Sequence, residues 1–194
     1  MKSLLQIIRT FFFQLTAKKH LSSTYRERRF VSYDKAKTVL ILFESDYSEK
    51  NLNIRKMIYQ LQQDGKKVSA WGYIDKKEVI TSILPDFRIL HHKQTDFFQK
   101  PMISYINELD DQTFDLLIDL TLKPLLPLQY VAVYAKAACK IGIHKSELPI
   151  YDFVLDVESL TVPIEDTEFF ESPVDENYLF EKIIFYLKSI QTTD

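Results

Sequence analysis

Four residues stand where a polar site would form if the chain folds as alternating strands and helices. Ser45 and Asp46 follow the apolar run Thr38–Glu44, and Asp119 and Thr121 end or follow a second run, Phe114–Leu120. Two carboxylates and two hydroxyls facing one another across a crevice could hold the hydroxyls of a sugar or coordinate a hard cation. The same residue types at strand–helix turns more often cap the next helix or hold loop amides. The other reactive types are sparse. His91 and His92 are adjacent, so in extended chain they point to opposite faces and share a metal poorly. His144 follows a short apolar run, but no partner for it is visible at a fixed spacing. Cys139 is the single cysteine, so the chain has neither an internal disulfide nor a cysteine cluster for a metal. Its neighbours supply no activating base.

Glycine narrows the chemistry further. Gly65, Gly72 and Gly142 are the only three in 194 residues and cannot build G-x-G-x-x-G or a P-loop. The turn after the first run, Glu44-Ser45-Asp46-Tyr47-Ser48-Glu49, carries three carboxylates and no glycine. Pyrophosphate needs close backbone approach and a positive helix end, so a standard NAD, FAD or ATP cradle is excluded. No catalytic residue, metal ligand or cofactor is assigned from the sequence.

Several elements must position these residues. Thr38–Glu44 (TVLILFE) is continuously apolar, the mark of a strand covered on both faces. A helix is expected over Glu49–Asp64, stopped at Gly65, where the left-handed conformation costs glycine little. Strands follow at Lys67–Tyr73 and Phe87–His91, with a short helix Lys76–Leu84 between them. Phe97–Leu109 reads as a helix, Phe114–Leu120 as a strand, and Leu125–Ala138 as a helix with Pro127 in its first turn. Lys140–Ile143 and Phe153–Val157 read as strands, Glu158–Glu176 as an acidic loop, and Asn177–Ile190 as a closing helix. Strands separated by helices imply right-handed crossovers and a mostly parallel sheet between helical layers. The expected fold is thus an α/β, three-layer Rossmann-like domain of strand order 3-2-1-4-5-6, spanning 38–194. Its crevice lies at the carboxyl ends of the first and fourth strands.

Residues 1–37 are different in kind. They hold nine Lys or Arg against Glu27 and Asp34, a surplus of seven; the remainder holds sixteen against twenty-five, a deficit of nine. Residues 3–17 read as a helix with Leu4, Ile8, Phe11, Phe12 and Leu15 on one stripe. A basic arm with Lys18, Lys19, Arg26, Arg28 and Arg29 follows. The segment can pack on its own domain, lie in a membrane interface, or bind nucleic acid. An aromatic-rich apolar stripe favours protein or lipid over nucleic acid. No run approaches the roughly 20 apolar residues that span a bilayer. No small-residue cleavage site follows the first helix.

The stretch Phe114-Asp115-Leu116-Leu117-Ile118-Asp119-Leu120, with the later Ala135-Lys136-Ala137-Ala138-Cys139-Lys140-Ile141-Gly142, resembles the amino-terminal half of heptosyltransferase-type GT-B glycosyltransferases. There an FDLVIDL-like strand precedes a helix and an AKxRIG-like strand. The resemblance implies the strand order above and a sugar- or nucleotide-binding half domain completed by another chain. The layout of a basic helix and arm before a short Rossmann-like domain is also similar to an uncharacterised family of small bacterial proteins.

Two readings follow. In the first, the chain is a non-enzymatic domain, cytoplasmic or peripheral to the inner membrane, docking to a protein partner or an anionic membrane through Phe11, Phe12, Lys18, Lys19, Arg26, Arg28 and Arg29. In the second, Ser45, Asp46, Asp119 and Thr121 bind a sugar or nucleotide. Whether the first helix is docked or projecting bears most on the first reading: a projecting apolar helix needs something to cover it, and a docked one returns to ordinary core.

Overall fold

The computed structural model of the chain describes residues 4–46, 49–75, 88–156 and 174–190. In chain order the elements are α1 (Leu4–Ser23), β1 (Thr38–Glu44), α2 (Glu49–Gln63), β2 (Lys67–Ile74) and β3 (Arg88–His91). A single 3-10 turn, His92–Gln94, follows. Next come α3 (Ile103–Asp110), β4 (Thr113–Asp119), α4 (Leu126–Tyr134), β5 (Lys136–Ile143), β6 (Phe153–Leu155) and α5 (Glu176–Ser189). The six strands form one sheet in the order β3-β2-β1-β4-β5-β6, and every pairing is parallel. The order reverses between β1 and β4, as the apolar runs predict.

Burial explains why those runs were legible. Val39 to Phe43 of β1 and Leu116 to Ile118 of β4 have no exposed surface, because helices cover both faces of the sheet. On one side, α2 and α5 pack Ile54, Leu61, Leu179 and Ile183 against Val39, Ile41 and Ile118. On the other, α1 and α4 pack Phe13, Tyr130 and Val131 against Leu40, Leu42 and Leu117. α2 is followed by Gly65 at φ +76°, the conformation expected of its terminator. Asp175 caps α5 by accepting a hydrogen bond from the Tyr178 amide at 2.8 Å.

Three sequence expectations are corrected. α4 ends at Tyr134, and Lys136–Ala138 belongs to β5. Alanine and lysine favour a helix, but here the ladder to β4, with Thr113 opposite Lys136 and Phe114 opposite Ala137, overrides that preference. The helix expected over Phe97–Leu109 begins only at Ile103. Asp96 instead accepts hydrogen bonds from the amides of Phe98 and Lys100, Gln99 takes a positive φ of 62°, and a turn forms where helix was expected. α1 runs on to Ser23, because His20 stacks on Tyr134 at 4.3 Å and Leu21 packs beside it. The helix expected at Lys76–Leu84 and most of the acidic stretch Glu158–Glu176 lie outside the described residues.

The segment before β1 is built into both layers. Phe13 and Ala17 are buried on the α4 side, and Val31, Tyr33 and Ala36 on the α2–α5 side. Backbone bonds from the Arg29 amide to Ala138 O and from the Tyr33 amide to Leu187 O hold the arm along the amino-terminal edge of the sheet.

Candidate functional site

At the carboxyl end of the sheet, Asp119 closes β4 with no exposed surface. Its Oδ1 accepts hydrogen bonds from the Thr121 amide at 2.9 Å and the Thr121 hydroxyl at 2.7 Å. Its Oδ2 accepts from the Lys145 ammonium at 2.7 Å and from the Tyr151 hydroxyl. Lys145 Nζ also reaches Thr121 Oγ1 at 2.7 Å and lies 5.6 Å from the centre of the Tyr151 ring. Burial pushes the Lys145 ammonium below its ordinary pKa while Asp119 pulls it back up. Burial, then the Asp119 charge, holds the Tyr151 phenol well above its ordinary value. The ring of Tyr151 lies against Gly142, where an added Cβ would sit 3.0 Å from the ring, so glycine is what admits it.

Thus Asp119 and Thr121 do meet, as their positions suggested. Their partners were missed. Lys145 follows His144 in sequence, and Tyr151 precedes β6; neither stands in a motif, and a lysine beyond a strand reads as a surface residue. Ser45 turns away from this group: its hydroxyl bonds to Asn51 Oδ1 at 3.0 Å, tying β1 to the first turns of α2. Asp46 is half-buried beside it. Chemically, the cluster is a carboxylate already neutralised by a cation and filled with donors.

His91 has a structural role and Cys139 is buried. His91 Nδ1 accepts a bond from the Lys93 amide and caps the 3-10 turn, while His144 is exposed. Burial, then Asp152, pushes the Cys139 thiol up to about 11, far from a reactive thiolate. Among the described residues no three His, Cys, Asp or Glu side chains gather to hold a metal ion.

The second region is α1. Its inward arc is Phe13, 1% exposed and edge-on to Tyr130 with centroids 4.9 Å apart, and Ala17. Its amino half is clamped by Arg9 Nε, which donates to Phe97 O at 2.9 Å, and by Phe12 against Phe98 at 4.2 Å. The opposite arc is not polar, as the outer face of an ordinary surface helix would be. Leu4 is 74% exposed, Phe11 55% and Leu15 52%, with Ile7 and Ile8 beside them. The stripe that the sequence marks most clearly therefore points outward, and Phe13 carries the packing. Lys18 and Lys19, both exposed, follow the stripe within one turn, and no Asp or Glu occurs in the helix. Arg26 is engaged elsewhere: its guanidinium makes two bonds to Asp152, at 2.7 and 2.5 Å, and one to Ala137 O at 2.9 Å. Arg28 and Arg29 remain exposed on the arm. No helix among the described residues is long and apolar enough to cross a membrane.

Residues 9–190 match the model of a family of unknown function, DUF6913, and the chain belongs to that family. No curated protein and no solved structure matches it.

Proposed function

We propose that this chain is a non-enzymatic docking domain that seats the outer arc of α1 in the interface of an anionic membrane. One observation carries the reading: a helix anchored to its domain by Phe13 and Ala17 also presents Leu4, Ile8, Phe11 and Leu15 to solvent. Contiguous exposed apolar surface of this kind marks an interaction site. The charge pattern selects the membrane as occupant. The apolar arc ends in Lys18 and Lys19 and is free of carboxylates along its length, the arrangement of helices that lie in the headgroup region. Each lysine near anionic lipid contributes about 1 kcal/mol. Because the helix is already folded on a rigid body, binding orders little further chain. The proposed location is the cytoplasmic side, peripheral to the inner membrane.

A sugar or nucleotide in the crevice, as the GT-B resemblance implies, finds less support. Asp119 and Thr121 would have to exchange Lys145 and Tyr151 for the ligand, at the cost of an unpaired buried charge.

Co-sedimentation of the full chain with vesicles tests the proposal. It should pellet with mixed zwitterionic and anionic phospholipid, less in high salt, and little with zwitterionic lipid alone. Phe11→Glu/Leu15→Glu should abolish pelleting without shifting the thermal midpoint. Equal pelleting of this variant, or none by the wild type, removes the reading. A dimer that the same substitutions dissociate would make a second copy the occupant instead.

A further inference from the structure

A cavity of about 770 Å³ opens at the amino-terminal edge of the sheet, at the end opposite Asp119. One wall is the end of α1 and the arm, His20 to Arg29; the other is the start of β4 and the Val133–Ala138 segment, with Lys140. Its size is that of a small-molecule site. Its charge is unusual. Lys140 has 1% of its surface exposed, and its ammonium bonds only to carbonyl oxygens, Ala132 at 2.6 Å and Val133 at 3.2 Å. No carboxylate lies within ion-pair distance of it among the described residues. The nearby Asp152 is already divided among the Arg26 guanidinium, the Lys140 amide and, at 3.8 Å, Arg28. Asp115, the half-buried carboxylate of the opposite wall, is turned to the Lys37 and Thr38 amides and the Thr38 hydroxyl, at 2.8 to 3.0 Å. Arg28 and Arg29 line the opening with exposed side chains, as does the acidic Glu27 that precedes them.

A buried ammonium without a counter-ion either gives up its proton or is stabilised by an anion brought near it. Guanidinium forks suit the oxygens of a phosphate better than a point charge does. Leu21, Phe114 and Val133 supply an apolar lining beside them. From this juxtaposition we infer that the cavity beneath the arm is a binding site for an organic phosphate monoester, with Arg28 and Arg29 on the phosphate and the body of the ligand against Leu21, Phe114 and Val133. The site is separate from the outer arc of α1 and does not depend on the membrane reading. A soluble phosphate ester and a lipid phosphate headgroup present the same group, so both are probed.

Isothermal titration of the full chain with phenyl phosphate, inorganic phosphate, a short-chain soluble phosphatidic acid and the neutral analogue phenol tests the assignment without any bilayer. Phenyl phosphate or the short-chain lipid should saturate below about 1 mM. Phenol should not bind, and inorganic phosphate should bind more weakly than the preferred ester. Which ester binds tighter tells a free metabolite from a headgroup, and either supports the site. Arg28→Gln/Arg29→Gln alters exposed side chains only and should weaken binding at least tenfold with an unchanged thermal midpoint. Lys140→Met should weaken it as well, in protein shown to be folded by circular dichroism. Failure of both esters to saturate, or equal binding by the arginine variant, overturns the assignment.

Discussion

The two ends of the sheet hold opposite electrostatic states. At the carboxyl end, Asp119, Lys145, Tyr151 and Thr121 form a group in which the carboxylate has a cation and three further donors within reach. At the amino end, Lys140 is buried with only carbonyl partners among the described residues, Asp152 is shared between two guanidinium groups, and a cavity stands open. Ligands of doubly wound sheets occupy the crevice beyond the carboxyl ends of the strands, at the point where the order reverses. Here, among the described residues, the Asp119 carboxylate at that point is already taken up by the protein's own side chains. The features that call for a partner, the cavity and the apolar outer arc of α1, both lie on the segment that precedes the first strand. Topology tells where ligands sit in other sheets of this order; in this one the described carboxylate at that place already has partners within the protein.

That contrast can be broken most forcefully at the closed end. Lys145→Met leaves Asp119 charged, buried and short of its cation, and should destabilise the fold by about 3–5 kcal/mol in urea denaturation. Adding Asp119→Leu should return only part of that loss: no unpaired charge is left, but Tyr151 and Thr121 lose their acceptor. A Lys145→Met protein of wild-type stability would mean that the cluster is open to water and not sealed.

The two arcs of α1 supply the next test. Phe13→Ala empties a buried site and should cost about 3 kcal/mol. Phe11→Ala, one helical face away, should stay within about 0.5 kcal/mol, as exposed positions do. Comparable losses at both positions would show that the outer arc is covered within the monomer.

A smaller effect separates the ends by pH. Burial, with Arg26 adding to it, presses the Lys140 ammonium down to about 7. The unfolded chain keeps its lysine protonated to roughly pH 10.4, so between these values the unfolded state binds a proton that the folded state lacks. Stability should therefore rise from pH 7 to 9.5, by at most about 1.4 kcal/mol per pH unit from this residue. Lys66 and Lys145, also lowered by burial, act in the same direction. Above pH 10 the trend should reverse, because Tyr73 and Tyr130 are pushed up to about 12 in the fold and ionise sooner in the unfolded chain. Urea denaturation at pH 7 and 9.5 should give a smaller difference for Lys140→Met than for the wild type; an equal difference would remove Lys140 as the source.

How much of this was legible in the residues depends on what each residue had to meet. β1 and β4 could be read because a strand covered on both faces is written as an unbroken apolar run. The start of β5 could not, since Ala135–Cys139 has helix-forming composition and only its ladder to β4 makes it a strand. α1 was readable as a helix, but its orientation was not: Leu4, Ile8, Phe11 and Leu15 make a better stripe than Phe13 and Ala17, and nothing local says which arc the domain takes. Asp119 and Thr121 were found because they end a strand at the switch point. Lys145 and Tyr151 come from the connection between β5 and β6, and Arg26 finds Asp152 126 residues away. Pairings at that separation leave no periodic trace.

The central claim, that the outer arc of α1 enters an anionic bilayer, is tested most directly by placing a reporter on it. Phe11→Trp adds an exposed indole to a chain whose own Trp71 is buried in the core. With anionic vesicles containing acyl-chain-brominated lipid, the added emission should shift to the blue and be quenched, and Phe13→Trp should not respond. Emission at position 11 that is indifferent to the brominated vesicles would contradict the account.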